Sequence, residues 1–269
     1  SITMPRVAVA VDHAHVFFPG SVAPVVDIEH LRIVEGERVA ILGPSGAGKT
    51  TLLRMLNARI RPSAGRVRVL DREINSRTGM PRVTRRQIGF VFQSFNLVGR
   101  ATVIENVLCG RMGHLGPGSL FGIFPKNDRE VAYAALEEVE LGGKATRRAD
   151  TLSGGEQQRV GIARMIAQSP RLVLADEPVS NLDPELADEI LELIVTAASR
   201  RHTTLLMTLH VPEQAQFNSD RILGMRRGRI VCDCASSDLD SDLLQTIYGR
   251  SELKMPACDA VDALHNELS

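Results

Sequence analysis

The chain has 269 residues, 43% of them hydrophobic, enough for a sizeable core in one large α/β domain or two smaller ones. Lys plus Arg and Asp plus Glu balance at 32 each, so no bulk positive charge speaks for nucleic-acid binding, and clusters such as RVTRR (82–86) read as solvated helix faces. No apolar run approaches the roughly 20 residues that span a bilayer, and the opening SITMPRVAVAVDH lacks the pattern of a secretory leader. The expectation is a cytosolic protein whose membrane contact is peripheral.

The first segment, RVAVAVDHAHVFF (6–18), and later GRVRVL (65–70) alternate like half-buried strands, which predicts a small antiparallel layer. Between them RVAIL (38–42) is a short β-branched run that ends at the glycine-rich GPSGAGKTT (43–51). TLLRMLNARI (51–60) then carries Leu and Met at helical spacing until Pro62 stops it, giving strand, loop, helix. RQIGFVFQ (86–93) reads as another short strand. From 103 to about 167 the pattern turns helical: TVIENVLCG, a Gly/Pro-broken stretch GHLGPGSLFGIFPKN, DREVAYAALEEVEL and EQQRVGIARMIAQ. That region reads as a helical insertion in an α/β core. RLVLADEP (171–178) and TTLLMTLH (203–210) are continuous apolar runs, as in parallel strands buried on both faces, with PELADEILELIVTAASRR (184–201) as the helix between them. The alternation predicts a doubly wound, mostly parallel sheet.

Cys109, Cys232, Cys234 and Cys258 are scattered apart from the CDC pair and suggest reduced thiols rather than a disulfide framework. CDC and HAH (His13, His15) each offer two metal ligands, but neither has a second pair at zinc-site spacing.

Three motifs carry chemistry. GPSGAGKT matches the P-loop pattern with Gly43, Gly48, Lys49 and Thr50 in place. Glycines let backbone N–H groups close around phosphates, the following helix offers its N-terminus to negative charge, Lys49 reaches the β/γ-phosphates, and the Thr50 hydroxyl can ligate Mg²⁺. Asp176 and Glu177 sit side by side at the end of an apolar strand, a poor choice for packing. There the first can serve the Mg²⁺ shell and the second can act as base to an attacking water. Finally, LSGGEQQR (152–159) opens a helix with a serine and two glycines, a second anion-binding N-terminus where one nucleotide needs only one.

From about Val7 to Gly249 the sequence resembles an ABC-type ATPase, with GPSGAGKT, the Gln93 of FVFQ, LSGGE, LVLADEP, SNLD and the His210 of TLH in order. The resemblance implies a P-loop NTPase fold: a RecA-like core with an antiparallel β subdomain (1–93 and 168–249), an inserted helical subdomain (94–167) and a tail (250–269). It also accounts for the spare cradle: two copies sandwich two ATP molecules, so that Ser153, Gly154, Gly155 and Glu156 of one chain meet the nucleotide held by residues Gly43, Pro44, Ser45, Gly46, Ala47, Gly48, Lys49, Thr50 and Thr51 of the other. By the same resemblance Gln93 joins Thr50 and Asp176 at Mg²⁺ and senses the attacking water, Glu177 is the base, Asp183 belongs to the loop bridging the two sites, and His210 contacts the γ-phosphate. Phe18 matches the aromatic that stacks on adenine, with Phe17 its competitor because neighbouring strand residues face opposite ways. Glu156 and Asn181 depart from common family residues, and neither removes a catalytic group.

One ATPase domain without membrane helices looks like the importer arrangement, in which the motor docks under a separate permease and an extracytoplasmic binding protein supplies solute. A DNA-repair or chromosome-organising ABC ATPase would need a long coiled coil or zinc insertion between P-loop and signature, and ribosome-associated relatives usually carry two ATPase domains in one chain. Lipid extruders with separate motors remain an alternative. A catalytically dead interaction module fits poorly with intact Lys49, Asp176, Glu177 and His210. The stretches IGFVFQSFNLVGRATVIENVLCGRMG, SLFGIFPKNDREVAYAALEEVEL, LADEPVSNLDPE and LLQTIYG resemble the motors of phosphonate importers and of related phosphite and hypophosphite systems. That resemblance implies a homodimer on ATP binding at the cytoplasmic face of the inner membrane, with import of methionine or another amino acid as the rival reading.

Overall fold

A computed structural model describes residues 6–74, 79–92, 96–114 and 124–249. In chain order the first half of these forms β1 (Val7–Val16), β2 (Val26–Val34), β3 (Arg38–Leu42), α1 (Lys49–Leu56), β4 (Ala64–Val69), β5 (Arg72–Ile74), α2 (Arg82–Arg85), β6 (Ile88–Phe92) and α3 (Val103–Leu108). There follow α4 (Lys126–Glu138), α5 (Gly154–Gln168), β7 (Leu172–Asp176), α6 (Pro184–Arg200), β8 (Thr204–Thr208), α7 (Pro212–Asn218), β9 (Arg221–Arg226), β10 (Arg229–Ala235) and α8 (Ser241–Tyr248).

The larger sheet has the order β10-β9-β3-β8-β7-β6, parallel except for the β9–β10 hairpin at one edge. Its central strands are apolar between their ends because both faces are covered. Val39 and Ile41 of β3 enter one core with Leu174 and Leu206, while Ala40 and Leu42 enter another with Val173 and Leu205. The smaller sheet, β2-β1-β4-β5, is antiparallel and lies over the first of these cores. A register shift after Asp12 in the β1–β4 pairing accompanies the positive φ of 47° at His13.

Helix α6 shows how sequence sets position. Asp183 caps it, accepting from Leu186 N at 3.0 Å, Pro184 fits the first turn, and Ala187, Ile190, Leu191 and Ile194 repeat at helical spacing on the buried face. Burying each large side chain contributes roughly 1.5–3 kcal/mol, so Leu191→Ala alone would remove about 2–5 kcal/mol with its cavity. Between β6 and β7 the chain leaves the sheet for α3, α4 and α5, whose Val103, Val107, Leu136, Val160 and Ile162 share the core on one sheet face. A buried ion pair ties this helical layer together: Arg111 Nε donates to Asp128 Oδ1 at 2.7 Å, and the same guanidinium donates to the Ala167 carbonyl at 3.0 Å.

Two expectations are corrected. Helix α1 stops at Leu56 rather than continuing toward Pro62, because Ala58 turns into the left-handed region at φ 54° and its N–H bonds Met55 O. β1 ends at Val16, so Phe17 and Phe18 lie beyond the strand and its alternation does not sort them; both are exposed, at 45% and 43%.

Candidate active site

The P-loop follows β3 at the centre of the larger sheet, and Asp176 and Thr208 end the adjacent strands β7 and β8, so the site lies at the carboxyl ends of parallel strands. Backbone packing explains the first and last glycines of the loop. At Gly43, φ 154°, an added Cβ would stand 2.2 Å from the Met225 carbonyl oxygen; at Gly48, φ 99°, it would meet Val25 O at 2.5 Å. Ser45 and Gly46 are exposed at the tip while Ala47, Gly48, Lys49 and Thr51 are buried. No side chain caps α1, so its first N–H groups are left for a ligand, and Gly48 is its N-cap. Lys49 folds back over the loop, its Nζ donating to Gly43 O at 2.6 Å and Pro44 O at 3.2 Å. Burial pushes its amine below the ordinary 10.5, with the Glu177 and Asp176 carboxylates partly holding it up.

From Lys49 the network continues through neighbouring side chains. Asp176 Oδ1 accepts from Thr50 Oγ1 at 3.0 Å and from Thr208 Oγ1 at 3.1 Å. The Thr208 oxygen in turn accepts from the Glu177 backbone N–H at 2.8 Å. Glu177 takes a left-handed φ of 49°, rare for a residue with a Cβ. Its Oε1 lies 2.8 Å from His210 Nε2. Both line an open cleft of about 640 Å³ with Thr208, Leu182, Val211 and Gln214. The hydroxyl and carboxylate oxygens of Thr50 and Asp176 are the hard donors that Mg²⁺ takes, so these residues fit that ion.

The signature segment is built differently. Ser153 is the N-cap of α5, its Oγ accepting from Glu156 N at 3.3 Å while Glu156 Oε2 accepts from Ser153 N at 2.9 Å. Lys144 pairs with the other Glu156 oxygen. That lysine, then the Ser153 backbone, hold the Glu156 carboxyl below its ordinary range, so it stays ionised. Gly154 has open space where a Cβ would be, and Gly155 packs on Leu186 of α6. Thus Thr50, Asp176, Glu177 and His210 are joined through Thr208 by short contacts, with Lys49 held on the loop carbonyls, whereas Ser153, Gly154, Gly155 and Glu156 gather on a separate helix end. Asp183 is spent on the α6 cap, and Phe18 stands in a turn where its N–H donates to Ser21 Oγ at 3.2 Å. Gln93 lies outside the described residues, as do most of the broken stretch at 115–123 and the tail from 250.

Thr208 escaped the sequence reading; a threonine at the end of an apolar strand reads as a β-former, and only its place two residues before His210 signals more. Tyr248 was also missed as a neighbour of the loop. Its hydroxyl is buried beside the Gly43 backbone without a well-formed partner, and burial pushes its ionisation up. Among the described residues no group of three or more His, Cys, Asp or Glu gathers as a metal site, so HAH and CDC remain pairs, and no helix is long and apolar enough to cross a membrane.

A P-loop before an uncapped helix, adjacent strand-end acids and a second glycine-led helix end define an ATP-binding cassette. Residues 27–180 match the ABC transporter family, and the chain belongs to that family. More particularly, it is an ABC ATPase subunit, and its fold and its relatives agree. It is 39% identical to phosphonates import ATP-binding protein PhnC 3 of Halalkalibacterium halodurans over 252 residues, 93% of this chain and 96% of that protein. It is 46% identical over 215 residues to phosphonates import ATP-binding protein PhnC of Nitratidesulfovibrio vulgaris, covering 79% of this chain and 81% of that one. The ATP-binding cassette MJ0796, solved as a dimer in a post-hydrolysis state bound to ADP and Pi, superposes with a TM-score of 0.72 at 29% identity over 85% of this chain and 98% of that one.

Proposed function

We propose that the chain is the ATP-hydrolysing motor of an importer for a phosphorus oxyanion, a phosphonate before phosphite or hypophosphite. The observation that carries this reading is the match to phosphonates import ATP-binding proteins across 93% of the chain. In the reading, the backbone N–H groups of residues 43–51 and Lys49 hold the phosphates, and Phe18 stacks on adenine. Thr50 and Asp176, with Gln93, hold Mg²⁺, which when bound offsets phosphate charge. Glu177 takes the proton of the attacking water, and His210, 2.8 Å from it, orients that carboxylate and contacts the γ-phosphate.

The second half of the site comes from a second copy, through Ser153, Gly154, Gly155, Glu156 and Asp183. The exposed Gly154 at the head of the signature helix supports this, since nothing in its own chain needs a second phosphate cradle. The motor sits at the cytoplasmic face of the membrane, bound to integral-membrane permease subunits and served by an extracytoplasmic binding protein; nucleic acid has no part. A groove of about 680 Å³ at the β6 edge supports the permease contact. It is floored by Phe90 and Phe92, with the Arg59 guanidinium 4.9 Å from the Phe92 ring centre.

Deleting the gene and measuring growth on phosphonate, phosphite or hypophosphite as sole phosphorus source tests the assignment. Loss of growth on at least one is expected; normal growth on all three, with lost uptake of an unrelated solute, contradicts it.

A further inference from the structure

Strand β10, the edge of the larger sheet, carries Cys232 and Cys234 on the face that α8 covers. The β9–β10 register shifts between Ile230 and Cys232, so Cys232 lies opposite Gly224, where an added Cβ would strike both Ile247 of α8 and the Cys232 Cβ. Cys232 is buried at 7% exposure, Cys234 is half-buried, and their sulfurs stand 3.7 Å apart. The pair has no part in the nucleotide site.

That separation discriminates between the ways two thiols can be joined. A disulfide draws its sulfurs to about 2.05 Å, and its Cα atoms rarely stand more than about 6.8 Å apart. Residues two apart in a strand already sit near that limit, at about 6.6 Å, so closing the bond would bend β10. A single atom bonded to both sulfurs leaves them unbonded to each other and near contact distance, as they stand here.

Charge then selects the bridging atom. Burial, and then the neighbouring Cys232, push the Cys234 thiol up to about 12, so that sulfur keeps its proton near neutrality. A divalent cation would need two buried thiolates and further ligands, and among the described residues no third His, Cys, Asp or Glu joins the pair. Trivalent arsenic carrying oxygen reacts with protonated thiols. Two arsenic–oxygen bonds break and two arsenic–sulfur bonds form. The oxygen leaves as water with the two thiol protons, arsenic stays trivalent, and the product is neutral.

We propose that Cys232 and Cys234 form a dithiol site that one trivalent arsenic atom bridges, entering from the half-exposed Cys234 side. The probe is phenylarsine oxide, added to the reduced full chain and read by thiol titration and intact mass. One phenylarsenic group per chain with loss of two of the four thiols is expected. A small dithiol should release it, while a monothiol in excess should not. Cys232→Ser and Cys234→Ser should each weaken retention by about 10²-fold or more, the advantage of two linked bonds over one, while Cys109→Ser and Cys258→Ser should not. In the unmutated chain the arsenical should protect residues 232 and 234 together from alkylation, a measurement that does not depend on the serine variants folding. Uptake that survives in either serine variant, consumption of a single thiol, protection of Cys109 instead, or a disulfide without retained arsenic overturns the proposal.

Discussion

The N-termini of α1 and α5 are both glycine-led ends of the kind that hold anions, yet the chain finishes them in opposite ways. At α1 no side chain caps the helix, Gly43 and Gly48 are locked against the Met225 and Val25 carbonyls, and Lys49 is tethered over the loop. At α5 the chain supplies its own cap, Ser153 and Glu156 closing on each other, and Gly154 faces open space. The first end is a finished phosphate cradle with catalytic groups arranged beside it. The second holds its shape alone, and in the proposed reading it is half a site whose ligand is brought by another copy. In the proposed reading, the difference teaches that what one copy lacks is the far wall of its nucleotide pocket, not any of the chemistry.

The largest expected effect tests the finished end. Glu177→Gln keeps the shape but removes the proton acceptor, so turnover should fall on the order of 10²-fold or more while ATP still binds. Near-normal turnover would move the base elsewhere and break the comparison. Next comes Gly48→Ala: at φ 99° and 2.5 Å from Val25 O, the methyl group cannot be placed without shifting the loop. A cost of about 1–3 kcal/mol in the thermal or denaturant transition, with weakened nucleotide affinity, is expected. Unchanged melting and binding would show that the loop is not locked.

The smallest effect sharpens the account of the self-capped end. Glu156→Gln retains an acceptor for the Ser153 N–H but loses the charge paired with Lys144. A carboxylate held below its ordinary 4.5 in the fold stabilises above that value and loses the contribution as pH falls through its folded value. Unfolding of the parent chain should therefore lose slightly more stability than the variant below about pH 4.5. At neutral pH the variant should differ little, since the pair is still partly exposed to solvent. Equal acid sensitivity would remove Glu156 from the account of the cap.

The finished end was largely legible in the sequence because its parts are short, local patterns: β3 running into the P-loop, and Asp176 and Glu177 closing a strand. The parallel, buried character of β3, β7 and β8 was legible in their apolar runs, but their order in the sheet was not. What stayed hidden was tertiary. Thr208 serves Asp176 and Glu177 from another strand, and Tyr248 reaches Gly43 from a helix some 200 residues on. No local pattern marks either. Only two of the four strands of the antiparallel sheet were read, because VDIEHLRIV (26–34) mixes charges into its exposed positions. Phe17 and Phe18 were sorted by a strand alternation that ends one residue too soon, at Val16.

The central claim, that each hydrolytic site joins the uncapped end of one chain to the self-capped end of another, is tested most directly by mixing two inactive variants. Lys49→Ala leaves the signature end whole, and Ser153→Arg leaves the P-loop whole, so a mixed pair regains one site with both halves intact. The account predicts ATPase activity in the mixture that neither variant shows alone, rising with protein concentration. A mixture as inactive as its components, or full activity of Ser153→Arg alone in a demonstrated monomer, would contradict it.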